Sequence, residues 1–234
     1  MLDIVMIDND KKRKLVQSVQ YGLKLAKDNI ESQELPEKNG LGVFSLNYVF
    51  KAARIVCKNS FLIAEFQRGP FKTIFLFDET TKTVISYTSK ANLKRLINRR
   101  RVSKVHYIDA LTLLNADFVE PQQLCFFDDS DSVKNDLQRL KESVIAKLGE
   151  LKPAQYMTIS YEINHRAYSL LSISLEMLSV HYASLYHESL NSYISFGEVD
   201  QYDSQTTLHP DEWGYKQNKN TSKKLPISLK TNKQ

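Results

Sequence analysis

The chain has 234 residues, of which 42% are hydrophobic and 25% are charged, a composition that supports one globular core and excludes a wholly disordered chain. No apolar run approaches the roughly 20 residues that a membrane span needs, and the opening segment MLDIVMID lacks the basic leader of a signal peptide. Cys57 and Cys125 are isolated in apolar surroundings, which favours reduced thiols. We therefore expect a cytoplasmic protein with no membrane partner and no cofactor.

The net charge of +5 is unevenly distributed along the chain. Six lysines and no acid follow residue 215, so residues 1 to 215 hold 26 basic and 27 acidic groups and carry a net charge of −1. Residues 90 to 104 contain seven basic residues and no acid, whereas residues 167 to 215 contain seven acids and no lysine or arginine. Local charge, and not the overall pI, is therefore the guide to a partner.

Two helices are predicted before the first strand. Apolar residues recur at the helical period over residues 10 to 31, and Asp8, Asn9 or Asp10 can cap that helix. The loop ELPEKNGLG ends it. Ser45 is expected to cap a second helix over residues 46 to 58.

A three-stranded meander is predicted next. FLIAEFQR turns at Gly69 and Pro70 into KTIFLF, whose continuous apolar run is typical of a central strand. The polar segment DETTKT then forms a hairpin turn into VISYTS. Three helices follow: residues 90 to 100 with Ser89 as cap, residues 104 to 116 with Ser103 as cap, and residues 132 to 148.

Beyond Pro153 the apolar residues change from the helical period to the alternation of a strand. YMTISYEI is predicted to be a half-exposed strand. Residues 167 to 187 fit either two strands or one long helix, and their content of Ser, Tyr, Val and Ile favours strands. The predicted fold class is α+β over residues 1 to 200, with an antiparallel sheet of meander and C-terminal strands packed with four to five helices. An acidic, turn-rich segment and a flexible basic tail occupy residues 201 to 234.

The order of one helix, a three-stranded meander and another helix resembles the core of restriction-endonuclease-like nucleases. That resemblance implies an acid on the second strand and acid-x-Lys on the third, since two carboxylates hold a divalent metal and the lysine helps activate water. Here only Asp78 and Glu79 end the second strand, Lys82 lies in the turn, and residues 84 to 98 contain no acid. These side chains are more economically interpreted as a solvated hairpin tip, and no metal site is predicted.

Arg101 and His106 match the Arg-x4-His spacing of helical RNase toxins, in which arginine holds phosphate and histidine moves a proton. That family is all helical, whereas this chain is predicted to contain at least five strands. The alternative interpretation places His106 in the first turn of a buried helix. The leading interpretation therefore assigns no catalytic residue and keeps Arg101 and His106 as the alternative pair.

The basic segment after the meander offers a binding surface. Leu93, Leu96 and Ile97 fall on one face of its predicted helix and leave the basic side chains on the solvent half, which suits phosphates or an acidic protein surface. A merely solvated basic face is the alternative. The following helix is mostly apolar, so it is predicted to be core and not the exposed reader of a helix-turn-helix. The candidate binding residues are Lys90, Lys94, Arg95, Arg99, Arg100, Arg101 and Lys104.

Two features of the C-terminal part were open to functional interpretation. His181, His187 and Glu188 have neither the helical nor the alternating spacing of metal ligands, so ordinary surface residues are expected. Trp213, the single tryptophan, either packs back on the domain or docks a partner, and packing is favoured.

The segment TIFLFDETTKTV, the helix after it and HYIDALTLLN fall within residues 61 to 118. This stretch resembles an uncharacterised family of bacterial and phage proteins known only as a domain of unknown function. The resemblance transfers no catalytic residue, and it implies a bacterial, phage or mobile-element origin, where proteins of host and phage conflict are common. We expect a non-enzymatic binding or regulatory protein that contacts nucleic acid or an acidic protein through its basic helix and tail. The alternative is an RNase-type toxin or defence effector.

Overall fold

The computed structural model describes residues 4–32, 41–68, 71–98, 105–118, 131–147 and 150–195, and every structural statement below concerns these ranges. Within them, the helices are α1 (Asn9–Ser32), α2 (Leu41–Val56), α3 (Lys90–Asn98), α4 (Tyr107–Leu111) and α5 (Asp131–Lys147), and a 3-10 helix (Thr112–Phe118) continues α4. The strands are β1 (Leu62–Arg68), β2 (Phe71–Asp78), β3 (Thr83–Ser89), β4 (Gln155–Asn164), β5 (Ser169–Leu178) and β6 (Ser184–Ser189). The predicted tail and Trp213 lie outside the described residues.

All six strands form one sheet, in which they lie in chain order from β1 to β6. Neighbours are antiparallel except β3 and β4, which are parallel and pair from Thr83 with Gln155 to Ser89 with Tyr161. The α+β class is confirmed, but the prediction of an antiparallel sheet is wrong because the sheet is mixed. A parallel pair requires a long crossover, which here contains α3, α4 and α5.

Helices cover both faces of the central strands. The Tyr87 hydroxyl of β3 lies 2.8 Å from the Ser18 hydroxyl of α1, so α1 covers the face on which Tyr87 lies. The neighbouring Val84 belongs to a core on the opposite face, together with Ile108 of α4 and Val144 of α5. Because successive side chains of a strand point to opposite faces, β3 contributes to two cores, and six of its seven residues are buried.

Gly22 allows α1 and α2 to approach closely. A Cβ atom at Gly22 would lie 2.6 Å from the Cα of Val49 and 2.9 Å from the carbonyl carbon of Tyr48. Both atoms belong to the backbone of α2, so no rotamer change could relieve the clash. The α1–α2 layer therefore depends on a residue without a side chain at this crossing.

The five predicted helices are present, but the bounds of the second and the fourth differ from the prediction. The prediction of α1 is confirmed, and Asp8 caps it by accepting the backbone N–H of Lys11 at 2.8 Å. The cap predicted for α2 is wrong, because α2 begins at Leu41 and Ser45 is buried inside it. The helix predicted from residue 104 begins only at Tyr107. Within the described ranges, no helix combines the length and apolarity that crossing a bilayer demands.

The strands predicted over residues 167 to 187 are confirmed by β5 and β6. The strand predicted for YMTISYEI is confirmed as β4. Its predicted half exposure is wrong, since the first seven residues of β4 are all buried. β4 lies between β3 and β5, and its polar side chains find partners there. The Thr158 hydroxyl donates to the Ser86 carbonyl at 3.4 Å, and the Ser160 hydroxyl lies 2.9 Å from that of Ser174.

Candidate nucleic-acid interface

α3 begins directly after β3 and presents one face to solvent. The Ser89 hydroxyl accepts the backbone N–H of Asn92 at 3.1 Å, which confirms the predicted N-cap. Leu93 and Leu96 are buried as predicted, but Ile97 is 46% exposed and does not belong to the buried face. The exposed residues of α3 are Ala91, Lys94, Arg95, Ile97 and Asn98.

Lys94 and Arg95 form what we call the α3 basic face. Neither side chain takes part in an ion pair with any described carboxylate. The Arg95 guanidinium donates to the Asn92 side-chain oxygen at 2.7 Å, a contact that orients it without neutralising its charge. In α1, by contrast, Lys12 lies 2.8 Å from the Glu188 carboxylate. Among the described residues, no carboxylate therefore balances the charge of the α3 basic face.

Lys90, the first residue of α3, is engaged within the protein. Its ammonium donates to the Ser172 hydroxyl of β5 at 2.8 Å, and that hydroxyl donates to the Glu162 carboxylate of β4 at 3.3 Å. Lys90 therefore joins the start of α3 to the β4–β5 hairpin. The other predicted contact residues, Arg99, Arg100, Arg101 and Lys104, lie outside the described ranges.

His106 is the N-cap of α4, one position before the helical turn in which it was predicted. Its side-chain Nδ1 accepts the backbone N–H of Ile108 at 3.2 Å, and the backbone N–H of His106 donates to the Asp109 carboxylate at 2.6 Å. These reciprocal contacts form a capping box. The ring also lies 4.2 Å from the ring of Tyr107, measured between centroids. Because Arg101 is outside the described residues, the Arg-x4-His pair stays a prediction.

Asp78 is buried, so its interpretation as part of a solvated hairpin tip is wrong, whereas Glu79 and Lys82 are exposed. The Lys11 ammonium lies 2.6 Å from the Asp78 carboxylate, and the Thr81 hydroxyl donates to it at 2.9 Å. Burial alone would lower the pKa of Lys11, but the hydrogen bond and charge of Asp78 raise it above its ordinary value. The carboxylate on the second strand therefore anchors α1 to the β2–β3 hairpin.

A metal centre of the nuclease type does not fit these residues. β3 contains no acid that could pair with Asp78, and the charge of Asp78 is already balanced by Lys11. Glu188, considered above with two histidines, bonds instead to Lys12 and Tyr186. In the part of the chain that the structure describes, no group of three or more His, Cys, Asp or Glu side chains could hold a metal ion.

The sequence interpretation missed a polar strip across β4 and β5. Ser160 and Ser174 are buried, and both donate hydrogen bonds to the same oxygen of Glu176. The alternating serines and glutamate at positions 172, 174 and 176 were a visible signal for one polar strand face. The ambiguity between strand and helix in this segment concealed it. The strip joins two strands next to α3 and extends the polar surroundings of Lys90.

Comparisons with known proteins identify the family of the chain. Among curated proteins and solved structures, no match was found. The model of a family of unknown function, DUF5986, matches residues 5–234. The resemblance expected for residues 61 to 118 is therefore confirmed, and it extends over almost the entire sequence. The chain belongs to DUF5986, a family of unknown function.

Proposed function

We propose that the protein binds nucleic acid without cleaving it and acts as a regulatory protein of a bacterium, phage or mobile element. The observation that carries the proposal is the α3 basic face, where Lys94 and Arg95 are exposed and unpaired with any described carboxylate. Such cations gain most from phosphates, because neutralising a phosphate releases a condensed counterion. The planar fork of Arg95 also matches two phosphate oxygens.

The surroundings of α3 favour nucleic acid over an acidic protein as the partner. The acid-free stretch of residues 90 to 104 offers several cations in sequence, which suits the repeating charge of a phosphate backbone. A protein interface normally centres on buried aromatic or aliphatic anchors. On the outer surface of α3, Ile97 is the single large apolar side chain that is exposed.

Three contacts support binding without catalysis. Asp78 is held by Lys11 and the hairpin, and β3 supplies no second carboxylate. The Nδ1 atom of His106 is bonded to the backbone of α4. A metal-dependent nuclease would use Asp78 as a metal ligand, and an Arg-x4-His RNase would use His106 to move a proton. Both side chains instead hold hydrogen bonds within the fold.

The test replaces Lys94 and Arg95 by glutamine in the full chain and measures binding to a DNA duplex and an RNA hairpin by fluorescence anisotropy. We expect a loss of about tenfold or more in affinity and a salt-dependence slope lower by about two. The matched control is R139Q/K147Q on α5, which removes the same charge from exposed positions and should leave binding nearly unchanged.

Two results would contradict the proposal. In one, the wild-type protein binds neither nucleic acid at low salt, which would leave the α3 basic face to an acidic protein partner. In the other, the α3 and α5 variants lose affinity equally, which would show that affinity depends on the net charge of the protein and not on the α3 basic face.

A further inference from the structure

We propose that the turn between β4 and β5, with Arg166 at its tip, is a second nucleic-acid contact beside the α3 basic face. This inference rests on the proposed function and adds an element that the basic segment of the sequence does not contain. It predicts a bipartite surface in which a helix and a hairpin turn contact the same phosphate backbone.

The parallel pairing of β3 and β4 places the start of α3 and the β4–β5 turn at the same end of the sheet. Ser89, the last residue of β3, pairs with Tyr161 of β4, so both strands run toward the same end of the sheet. α3 begins at the next residue after Ser89, while β4 continues to Asn164 and enters the turn. If β3 and β4 were antiparallel, the turn after β4 would lie at the opposite end of the sheet.

A direct contact joins α3 to the hairpin. The Lys90 ammonium donates to the Ser172 hydroxyl at 2.8 Å, and Ser172 is paired with Glu162 across the hairpin. The turn starts three residues beyond Glu162, which at about 3.3 Å per strand residue is a distance of about 10 Å. Lys94 lies four residues, or about 6 Å, beyond Lys90 along α3. Since successive phosphates of one strand rise by about 3.4 Å, about five nucleotides would cover the combined separation.

The turn holds its tip in one conformation. The side-chain oxygen of Asn164 accepts the backbone N–H of Arg166 at 2.9 Å and that of Ala167 at 3.2 Å. Tyr168 follows with a φ of 51° and is only 8% exposed, which fixes the far side of the turn. His165 and Arg166 are exposed at the tip. A preformed turn loses little conformational entropy on binding, so its arginine is well placed for contact.

The charges around the turn also fit an anionic partner. Arg166 forms no ion pair with any carboxylate in the described ranges. Burial raises the pKa of Tyr168, and the charge of Glu31 in α1 raises it further. Glu31 forms an exposed ion pair with Lys27 at 3.9 Å. The exposed carboxylate of Glu162 lies between α3 and the turn and would repel phosphate. Its removal therefore offers a test in the opposite direction.

The experiment measures R166Q and E162Q in the full chain against the same DNA duplex and RNA hairpin, over a range of salt concentrations. R166Q should weaken binding about fivefold and lower the salt slope by about one. E162Q should bind more tightly, and R139Q on α5 should match the wild type. A loss confined to one probe would support the turn as a contact for that nucleic acid, and a loss with both would support a contact to the shared phosphodiester backbone.

The inference is overturned if R166Q binds like the wild type while K94Q/R95Q is impaired, a result that leaves the proposed function intact. It is also overturned if E162Q gains no affinity and R166Q loses no more than R139Q. Failure of the wild-type protein to bind either probe would reject the proposed function and the second contact together. Far-UV circular dichroism would establish that the variants are folded, since the turn is held by Asn164 and not by the Arg166 side chain.

Discussion

The imidazole of His106 shows how a side chain with catalytic potential can serve as a helix cap. Its Nδ1 accepts a backbone N–H, as the side-chain oxygen of Ser or Asn does at many helix starts. Asp109 completes the cap from inside the helix, and its carboxylate also accepts the hydroxyl of Tyr182. A histidine at this position therefore fixes where α4 begins.

Replacing His106 by alanine should lower the free energy of unfolding by about 1 kcal/mol, because one N–H at the helix start loses its acceptor. His106→Asn keeps a side-chain acceptor and should retain most of that stability. Urea unfolding of the two variants measures the difference. Equal losses in both would contradict the capping role, and the folded Asn variant also tests the RNase alternative, since it lacks the imidazole.

Glu188 links the stability of the protein to pH. Burial alone would raise its pKa, but hydrogen bonds from Lys12 and Tyr186 and the charge of Lys12 lower it below its ordinary value of 4.5. A lowered pKa means that the ionised group stabilises the folded state above about pH 4.5 and that this contribution is lost as pH falls through the folded-state pKa.

Glu188→Gln should therefore reduce the free energy of unfolding by about 1.5 kcal/mol at neutral pH, the lower end of the range for a hydrogen bond to a charged group, because the carboxylate is partly exposed. The difference from the wild type should shrink below pH 4.5 and disappear in stronger acid. Urea melts between pH 3 and pH 7, with the exposed Glu150→Gln as control, provide the measurement. A difference that stays constant over this range would show that the ionised carboxylate contributes nothing.

At the scale of elements, the α1–α2 crossing depends on Gly22. Alanine would normally stabilise a helix interior by about 1 kcal/mol relative to glycine. Here its Cβ would lie 2.6 Å from the Val49 backbone, and overpacking of that kind costs about 1–3 kcal/mol. The clash outweighs the gain because the neighbouring atoms are backbone and cannot rotate away.

Gly22→Ala should thus lower the midpoint of urea unfolding, with a net loss of about 1 kcal/mol and at most about 2 kcal/mol. Asp28→Ala, at an exposed position of the same helix, is the matched control and should change stability little. If Gly22→Ala were as stable as the wild type, the two helices would have to separate more easily than their backbone contact indicates.

Elements whose signals are local were predictable from the sequence. α1 and α5 have a clear apolar period, and the meander has turn residues between its strands. The exposure of β4 was not predictable, because the burial of Thr158 and Ser160 depends on partners from β3 and β5. The parallel pairing of β3 and β4 was missed for a similar reason, since residues 90 to 154 separate the pairing partners in the sequence.

The candidate site was predictable to the same extent. The acid-free basic helix followed from composition, but the engagement of Lys90 with Ser172 and the exposure of Ile97 followed only from packing. Arg166 was missed because it stands alone in the sequence, away from any basic cluster. Arg166 lies at the same end of the sheet as the start of α3 because β3 and β4 are parallel.

At the scale of the whole molecule, the net positive charge comes from the end of the chain. The six lysines after residue 215 account for it, since residues 1 to 215 carry a net charge of −1. We expect these lysines to add nonspecific attraction to phosphates, while α3 sets the position of the bound nucleic acid.

The 234-residue chain with those six lysines replaced by glutamine should bind nucleic acid more weakly and with a smaller salt slope. The relative effect of K94Q/R95Q should persist in that background, because the contacts proposed for the α3 basic face do not involve the tail. Anisotropy titrations in both backgrounds would measure this. If the α3 substitutions had no effect once the six lysines were gone, the tail and not the helix would be the binding element.

The parallel contact between β3 and β4 also has a kinetic consequence. The β1–β3 and β4–β6 meanders can each pair through short turns, whereas β3 can meet β4 only after the long crossover of residues 90 to 154 has closed. Contacts between distant segments form late because the entropy of loop closure precedes any gain from pairing. During synthesis and refolding, two central strands therefore have an unpaired edge until the crossover helices have packed. Aggregation of partly folded chains should begin at β3 and β4, at the interior of the native sheet and not at its outer edges.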